Sequence, residues 1–160
     1  MNELPRALKP ITLWLLLGTA VFLAVQAWQA QQRQPRISVD AGRITLQRAA
    51  DGHFHWPGQV NGVAVLFLVD TGASRTALPL ALATRVGLRD EGRVQSATAG
   101  GMVQGSLARA DVQLQGGVSA QRLLVTVLPD LASPLLGMDV LSRLHFSQAN
   151  GVLQLQAGAP

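Results

Sequence analysis

Two patterns of hydrophobic and polar positions divide the chain. From residue 10 to residue 32 no position is charged, and residues 11–27 (ITLWLLLGTAVFLAVQA) are apolar all round rather than along one stripe. A helix over residues 10–30 would be roughly 30 Å long at about 1.5 Å per residue, enough to cross a bilayer. Trp14 and Trp28 fall near its two ends, as interfacial aromatics do. The expectation is therefore a short tail at 1–10, a transmembrane helix at 11–28 and a polar linker at 29–36 (QAQQRQPR). Arg6 and Lys9 favour an amino end inside the cell, a bias that Arg33 and Arg36 on the far side weaken. The competing reading is a cleaved signal peptide ending at Val25-Gln26-Ala27. Its apolar run exceeds the usual core of about 7–15 residues, which favours a retained anchor. Either reading exports the remainder, so the expected location is the inner membrane, single-pass, with residues 37–160 facing the periplasm.

Beyond the linker the period changes to two. Ile44, Leu46 and Arg48 alternate with polar positions before Asp51-Gly52, and His53-Phe54-His55-Trp56 alternates again. Asn61-Gly62 separates Val60 from the continuous run Val63-Ala64-Val65-Leu66-Phe67-Leu68-Val69, a hairpin signal followed by a strand expected to be buried on both faces. Further hairpins are expected at Gly100-Gly101, Gly116-Gly117 and Asn150-Gly151, with a second interior strand at residues 123–128 (LLVTVL). Two short helices interrupt the strands, at 79–86 before Gly87 and at 138–144. Many short strands joined by glycine turns predict a compact, mostly antiparallel β barrel or sandwich.

Composition narrows the chemistry. The chain has no cysteine, which excludes disulfides, thiolate catalysis and Cys-ligated zinc. The net charge of +4 is dispersed, tyrosine is absent and aromatics are 4%, so nucleic-acid binding has no support. The mean hydropathy of +0.25 is high for a soluble domain, and the amino-terminal segment accounts for most of the excess.

One tripeptide stands out. Asp70-Thr71-Gly72, followed by Ala73-Ser74, comes directly after the most apolar strand. An acid at such a strand end costs free energy unless it is hydrogen-bonded or paired. Glycine lets the backbone turn sharply, and threonine offers a hydroxyl to lock the turn. Asp-Thr-Gly also serves as a plain turn after a strand, so context decides. Some 65 residues later Pro134-Leu135-Leu136-Gly137 precedes the second short helix, an apolar pair and a glycine that can support the acid loop from behind. The Gly100-Gly101 hairpin between them is placed to act as a flap.

This order, carried by Phe67-Leu68-Val69-Asp70-Thr71-Gly72-Ala73-Ser74 and Leu135-Leu136-Gly137-Met138-Asp139, resembles the retropepsin-like aspartic proteases, in particular their bacterial membrane-anchored branch. The resemblance covers roughly residues 44–155. It implies a mainly β fold, a closed antiparallel β-barrel of the retropepsin type with one or two short helices, preceded by the transmembrane helix. It also implies a membrane-anchored endopeptidase without a cofactor or metal, acting on protein or peptide substrates as a homodimer. Only one Asp-Thr-Gly is present, and a two-fold axis would bring a second Asp70 against the first. Two carboxylates about 3 Å apart share one proton. The ionised one then acts as general base on a water, while the protonated one donates to the scissile carbonyl, with activity falling at both pH extremes.

Family roles carry over by position. Asp70 is the acid/base, Thr71 braces the loop across the dimer, and Gly72 permits the turn. Ala73, Ser74, Gly100, Gly101 and Met102 contact substrate. Leu135, Leu136 and Gly137 support the site. The flap lacks an aromatic, and an amino end running toward a membrane leaves open which strands form the dimer. A catalytically silent module of the same fold, binding peptides or mediating assembly, is the alternative; the intact Asp70-Thr71-Gly72 favours the enzyme.

Other constellations carry less. His53 and His55 share a strand face near Asp51, but no third metal ligand has sensible spacing. Ser74 lacks the last glycine of a nucleophile elbow, and a Ser74–His145–Asp139 triad has no positive sign. Asp139 reads as the acid at a helix amino terminus.

Overall fold

A computed structural model of the chain describes residues 8–32, 36–40, 42–98 and 100–157. Residues 1–7 of the expected tail and 33–35 of the expected linker lie outside them. The chain divides into two units, Met1–Gln34 and Pro35–Pro160.

The first unit holds α1 (Leu8–Gln32), so the expected span 11–28 is helical throughout. Leu13, Trp14, Leu16 and Phe22 are exposed. Among the described residues no helix is long and apolar enough to cross a membrane.

Among its described residues the second unit carries eleven strands and two short helices, in the order β1 (Ile37–Asp40), β2 (Arg43–Gln47), β3 (His55–Val60), β4 (Val63–Val69), β5 (Ala77–Pro79), α2 (Leu80–Arg85), β6 (Gly92–Thr98), β7 (Gly101–Leu114), β8 (Ser119–Leu128), β9 (Leu135–Leu136), α3 (Met138–Leu141), β10 (Leu144–Ala149) and β11 (Val152–Ala157). A four-stranded sheet has the order β1-β2-β11-β10, and a seven-stranded sheet the order β3-β4-β9-β5-β8-β7-β6. β3 also pairs with β7 through Gly58↔Leu114, Gln59↔Gln113 and Val60↔Val112.

The expected hairpins form where the turn residues are. Val60 and Val63 face each other across Asn61-Gly62, both with positive φ (48° and 81°), the type I′ geometry whose twist matches the flanking strands. Asn150-Gly151 repeats it between β10 and β11. Thr98 faces Gly101 across the β6–β7 turn.

The pairings are mostly antiparallel, as expected, but two of them are parallel. β4 runs parallel to β9 (Leu68↔Leu135, Val69↔Leu136), and β5 parallel to β8 (Ala77↔Thr126, Leu78↔Val127, Pro79↔Leu128). Parallel neighbours need a crossover rather than a hairpin, and long connections join both pairs. β4 is not buried on both faces either. Phe67 is fully buried and Val65 half-buried on one face, while Ala64 and Leu66 are exposed on the other. Hydrophobicity alone does not reveal which face of an apolar strand is left exposed.

Both helices are shorter than expected. Pro79 belongs to β5 and caps α2, and Gly87 follows the helix with φ +68°. α3 ends at Leu141, and Leu144, expected to be helical, opens β10.

The core joins the two sheets. Ile44, Leu46, Leu153 and Leu155 of the smaller sheet pack in one cluster with Trp56, Phe67, Val125 and Leu136 of the larger. Trp56 is wholly buried, and its Nε1–H donates to the Gln115 carbonyl at 2.8 Å, so the indole carries no unpaired polar group.

His55, expected on a solvated strand face, is paired. Its Nε2 lies 2.7 Å from Asp51 Oδ2, while the His53 N–H donates to Asp51 Oδ1 at 3.0 Å. The His53 N–H and then the His55 ring hold the Asp51 carboxyl below its ordinary value. A depressed carboxylate contributes stability above the unfolded-state value of 3.8 and loses it as pH falls through the lower folded-state value. Asp51→Asn should therefore destabilise the domain at about pH 6 and make no difference at about pH 2. Urea unfolding of both forms across that range measures the difference.

Candidate active site

The acid loop is built by the end of β4. Because β4 and β9 run parallel, the Asp70 N–H continues the ladder and donates to the Leu136 carbonyl at 3.0 Å. The chain then turns. The Gly72 N–H donates to Asp70 Oδ1 at 2.9 Å and the Ala73 N–H to the Asp70 carbonyl at 3.3 Å. The carboxyl is thus oriented by its own loop, and no group of the described residues bonds to Oδ2. Asp70 is half-buried, while Thr71, Gly72 and Ser74 are exposed.

Leu135 and Leu136 pair with the end of β4, and Gly137 crosses the backbone at Arg75 and Thr76. A methyl group added at Gly137 would lie 2.5 Å from the Arg75 carbonyl carbon and 2.8 Å from the Thr76 nitrogen, so only glycine lets the two backbones cross here. The Met138 N–H donates to the Ala73 carbonyl at 2.8 Å, tying α3 to the acid loop.

Thr76 is the hub of this crossing, and the sequence reading missed it. It is wholly buried. Its Oγ1–H donates to Asp139 Oδ1 at 2.8 Å and its N–H to Asp139 Oδ2 at 3.0 Å. The same Oγ1 accepts the Gly137 N–H at 3.2 Å, and the Thr76 carbonyl accepts the Thr126 N–H at 3.0 Å. Asp139 does stand in the first turn of α3, but its carboxylate is spent on Thr76. A polar Thr76 opening the apolar stretch Thr76-Ala77-Leu78 was the available signal, since a buried hydroxyl needs a partner.

Thr76→Val keeps the shape and removes the hydroxyl, leaving Oδ1 of the half-buried Asp139 and the buried Gly137 N–H without that partner. It should cost about 1–3 kcal/mol in denaturant unfolding, with Thr76→Ser losing much less.

The flap residues Gly100, Gly101 and Met102 lie at the tip of the β6–β7 hairpin, where Thr98 Oγ1–H donates to the Gly101 carbonyl at 2.8 Å. Met102 is 66% exposed, an apolar tip in solvent. No hydrogen bond among the described residues joins this tip to the acid loop. Ser74, His145 and Asp139 are not assembled either: Asp139 is held by Thr76, and His145 lies on β10. Among the described residues no group of three or more His, Asp or Glu is placed to hold a metal ion.

An acid at a strand end, braced by an apolar-apolar-glycine stretch that crosses its loop, is matched by a known family. The model described as "gag-polyprotein putative aspartyl protease" matches residues 56–143, from the start of β3 to just past α3. The chain belongs to the retropepsin-like aspartic protease family. A crystal structure of a retropepsin-like aspartic protease from Rickettsia conorii superposes with a TM-score of 0.58 at 29% identity, covering 76% of this chain and 96% of that one. An uncharacterized protein encoded in the cobV 5′ region of a Sinorhizobium species is 33% identical over 111 residues, which are 66% of this chain. An uncharacterized protein of Rickettsia prowazekii is 44% identical over 50 residues, 31% of this chain. The matches span 47% and 22% of those two curated relatives, so this retropepsin-like chain corresponds to less than half of each.

Proposed function

We propose that this chain is an aspartic endopeptidase that works as a homodimer, one Asp70 coming from each copy. The observation that carries the reading is the Asp70 loop. Its carboxyl is oriented by Gly72, its backbone is held by Leu136, Ala73 and Met138, and the chain has a single Asp-Thr-Gly. One carboxyl cannot both deprotonate a water and protonate a carbonyl oxygen in one step. Two copies related by a two-fold axis can, sharing one proton between the two Asp70 side chains. The ionised carboxylate takes a proton from water, whose oxygen attacks the scissile carbonyl carbon. The other carboxyl donates to the carbonyl oxygen; on collapse of the tetrahedral species the proton taken from water passes to the leaving nitrogen, a hydroxyl proton returns to the second carboxylate, and the amine departs. Thr71 braces the paired loops. Ala73, Ser74 and the flap tip at Gly100, Gly101 and Met102 hold an extended peptide. The ring of strand pairings that returns from β7 to β3 supports reading the domain as a closed barrel, a rigid mount for such a site.

We also read α1 as holding the chain at the inner membrane with the catalytic domain in the periplasm. The support is the uncharged stretch between Lys9 and Arg33 and the exposed leucines along it. Alkaline carbonate should leave the chain in the membrane pellet; release into the supernatant would contradict this. The peptidase reading is tested by dilution. The purified full chain should cleave an unfolded protein at mildly acidic pH, with specific activity falling as the chain is diluted. Specific activity independent of concentration in a species that sediments as a monomer would contradict a site shared between copies.

A further inference from the structure

One cavity shares no residue with the acid loop, its Leu135-Leu136-Gly137 backing or the flap tip. It measures about 380 Å³ and gathers side chains from four segments. Asn61 comes from the β3–β4 turn, Arg89 and Glu91 from the stretch between α2 and β6, Arg109 and Asp111 from β7, and Arg122 from β8. Its frame is held by hydrogen bonds between these segments. The Asn61 N–H donates to the Asp111 carbonyl at 2.9 Å, the Asp111 N–H to Asn61 Oδ1 at 2.9 Å, and Asn61 Nδ2 to the Val86 carbonyl at 3.3 Å.

Both carboxylates of the cavity are engaged. Asp111 Oδ1 accepts the Arg122 N–H at 2.7 Å, and Glu91 Oε2 accepts Arg109 Nε–H at 3.1 Å. Arg109 Nη1 donates to the Arg122 carbonyl at 3.3 Å. Among the described residues no hydrogen bond or ion pair holds the guanidinium of Arg89 or of Arg122, so two unpaired positive charges line one cavity. Arg122 is placed there at a cost. Ala110 pairs with Leu123 and Val112 with Ala120, so Gln121 and Arg122 together oppose Asp111 in a β-bulge. Arg122 has φ +49°, a left-handed conformation that favours glycine. Bulges re-aim side chains, and a strained residue persists only where its surroundings hold it, as the Asp111 carboxylate does here.

We propose that this cavity binds a phosphate group, held by the guanidinium forks of Arg89 and Arg122 with Arg109 Nη2 as a third donor. Planar guanidinium forks match the oxygens of a phosphate and bond them two at a time. A phosphate group carries a charge of about −1.5 to −2 at neutral pH, which matches the two unpaired guanidinium charges. A single carboxylate would neutralise only one of them. The site stands on its own residues and does not depend on the peptidase reading.

Calorimetric titration of the full chain, in a nonionic detergent at constant ionic strength, with inorganic phosphate tests the site. Binding should be saturable, with one phosphate per chain. Arg89→Gln combined with Arg122→Asn removes both unpaired charges, and asparagine tolerates the left-handed backbone. With an unchanged circular dichroism spectrum, this double variant should bind phosphate at least about tenfold more weakly. Arg89→Gln alone, at an exposed position outside the strands, should weaken binding in the same direction and leaves β8 untouched. Arg85→Gln, which removes a charge outside the cavity, should bind as the wild type does. A soluble phosphodiester, glycerophosphoglycerol, separates the two sources of the group. Binding as tight as that of inorganic phosphate would support the site and assign it to a lipid headgroup, whereas rejection of the diester would support it and assign it to free phosphate or a phosphomonoester. No saturable phosphate binding, binding unchanged in Arg89→Gln and in the folded double variant, or an equal loss in Arg85→Gln would overturn the site.

Discussion

Asp70→Asn should lower the rate of peptide-bond cleavage by about a thousandfold or more while leaving the fold unchanged. The two effects separate because the carboxyl has two distinct jobs. Its Oδ1 accepts the Gly72 N–H, and an asparagine oxygen can do the same. Its ability to exchange a proton with water and with a carbonyl oxygen has no substitute in a carboxamide. The variant should unfold at a urea concentration close to that of the wild type and should still dimerise. Cleavage at the wild-type rate would mean that Asp70 is not the acid/base. Loss of cleavage together with loss of the folded state would make the residue structural, as a plain turn after β4 would require.

Gly137→Ala should be the most destabilising small substitution in the site, at about 3 kcal/mol or more. The added methyl would sit 2.5 Å from the Arg75 carbonyl carbon and 2.8 Å from the Thr76 nitrogen. Those neighbours are backbone, so no side chain can swing aside. Relief requires the two crossing segments to separate. That would weaken the Asp70 N–H bond to Leu136 and the bonds joining Thr76 to Asp139 and Gly137. Activity should therefore fall even under conditions where the variant stays folded, because the acid loop loses its backing. Denaturant unfolding and single-turnover cleavage, measured on the same preparation, test the two halves. A variant as stable as wild type would show that the crossing is looser than the geometry describes.

The legible parts of this fold are those written in local chemistry. Asn61-Gly62 and Asn150-Gly151 needed positive φ at both turn positions, and the residues that tolerate it mark both hairpins in the sequence. Asp70-Thr71-Gly72 and Leu135-Leu136-Gly137 stand out in the sequence because each closes an apolar run, and their spacing and order mark them as a pair. What was not legible depends on partners far along the chain. β5 and β9 are three and two residues long, too short for any period, and exist because neighbouring strands pair with them. The outward face of β4 reads as core from its hydrophobicity, yet Leu66 is exposed. The sequence shows Thr76 and Asp139 as two isolated polar residues 63 positions apart, and only the crossing of the two segments joins them. Leu144 falls at the end of the expected helix 138–144, whereas its pairing with Ala157 opens β10.

The central claim, that half of each active site belongs to another copy, is tested most directly by subunit mixing. Wild-type chain at fixed concentration is allowed to exchange subunits with increasing amounts of Asp70→Asn chain, and cleavage of an unfolded protein is followed. If each site needs an Asp70 from both copies, mixed dimers are dead, and activity per wild-type chain should fall to about a tenth at a ninefold excess of the variant. Activity that stays constant across the titration, with exchange verified by a tag on one chain, would show that each chain carries a complete site of its own.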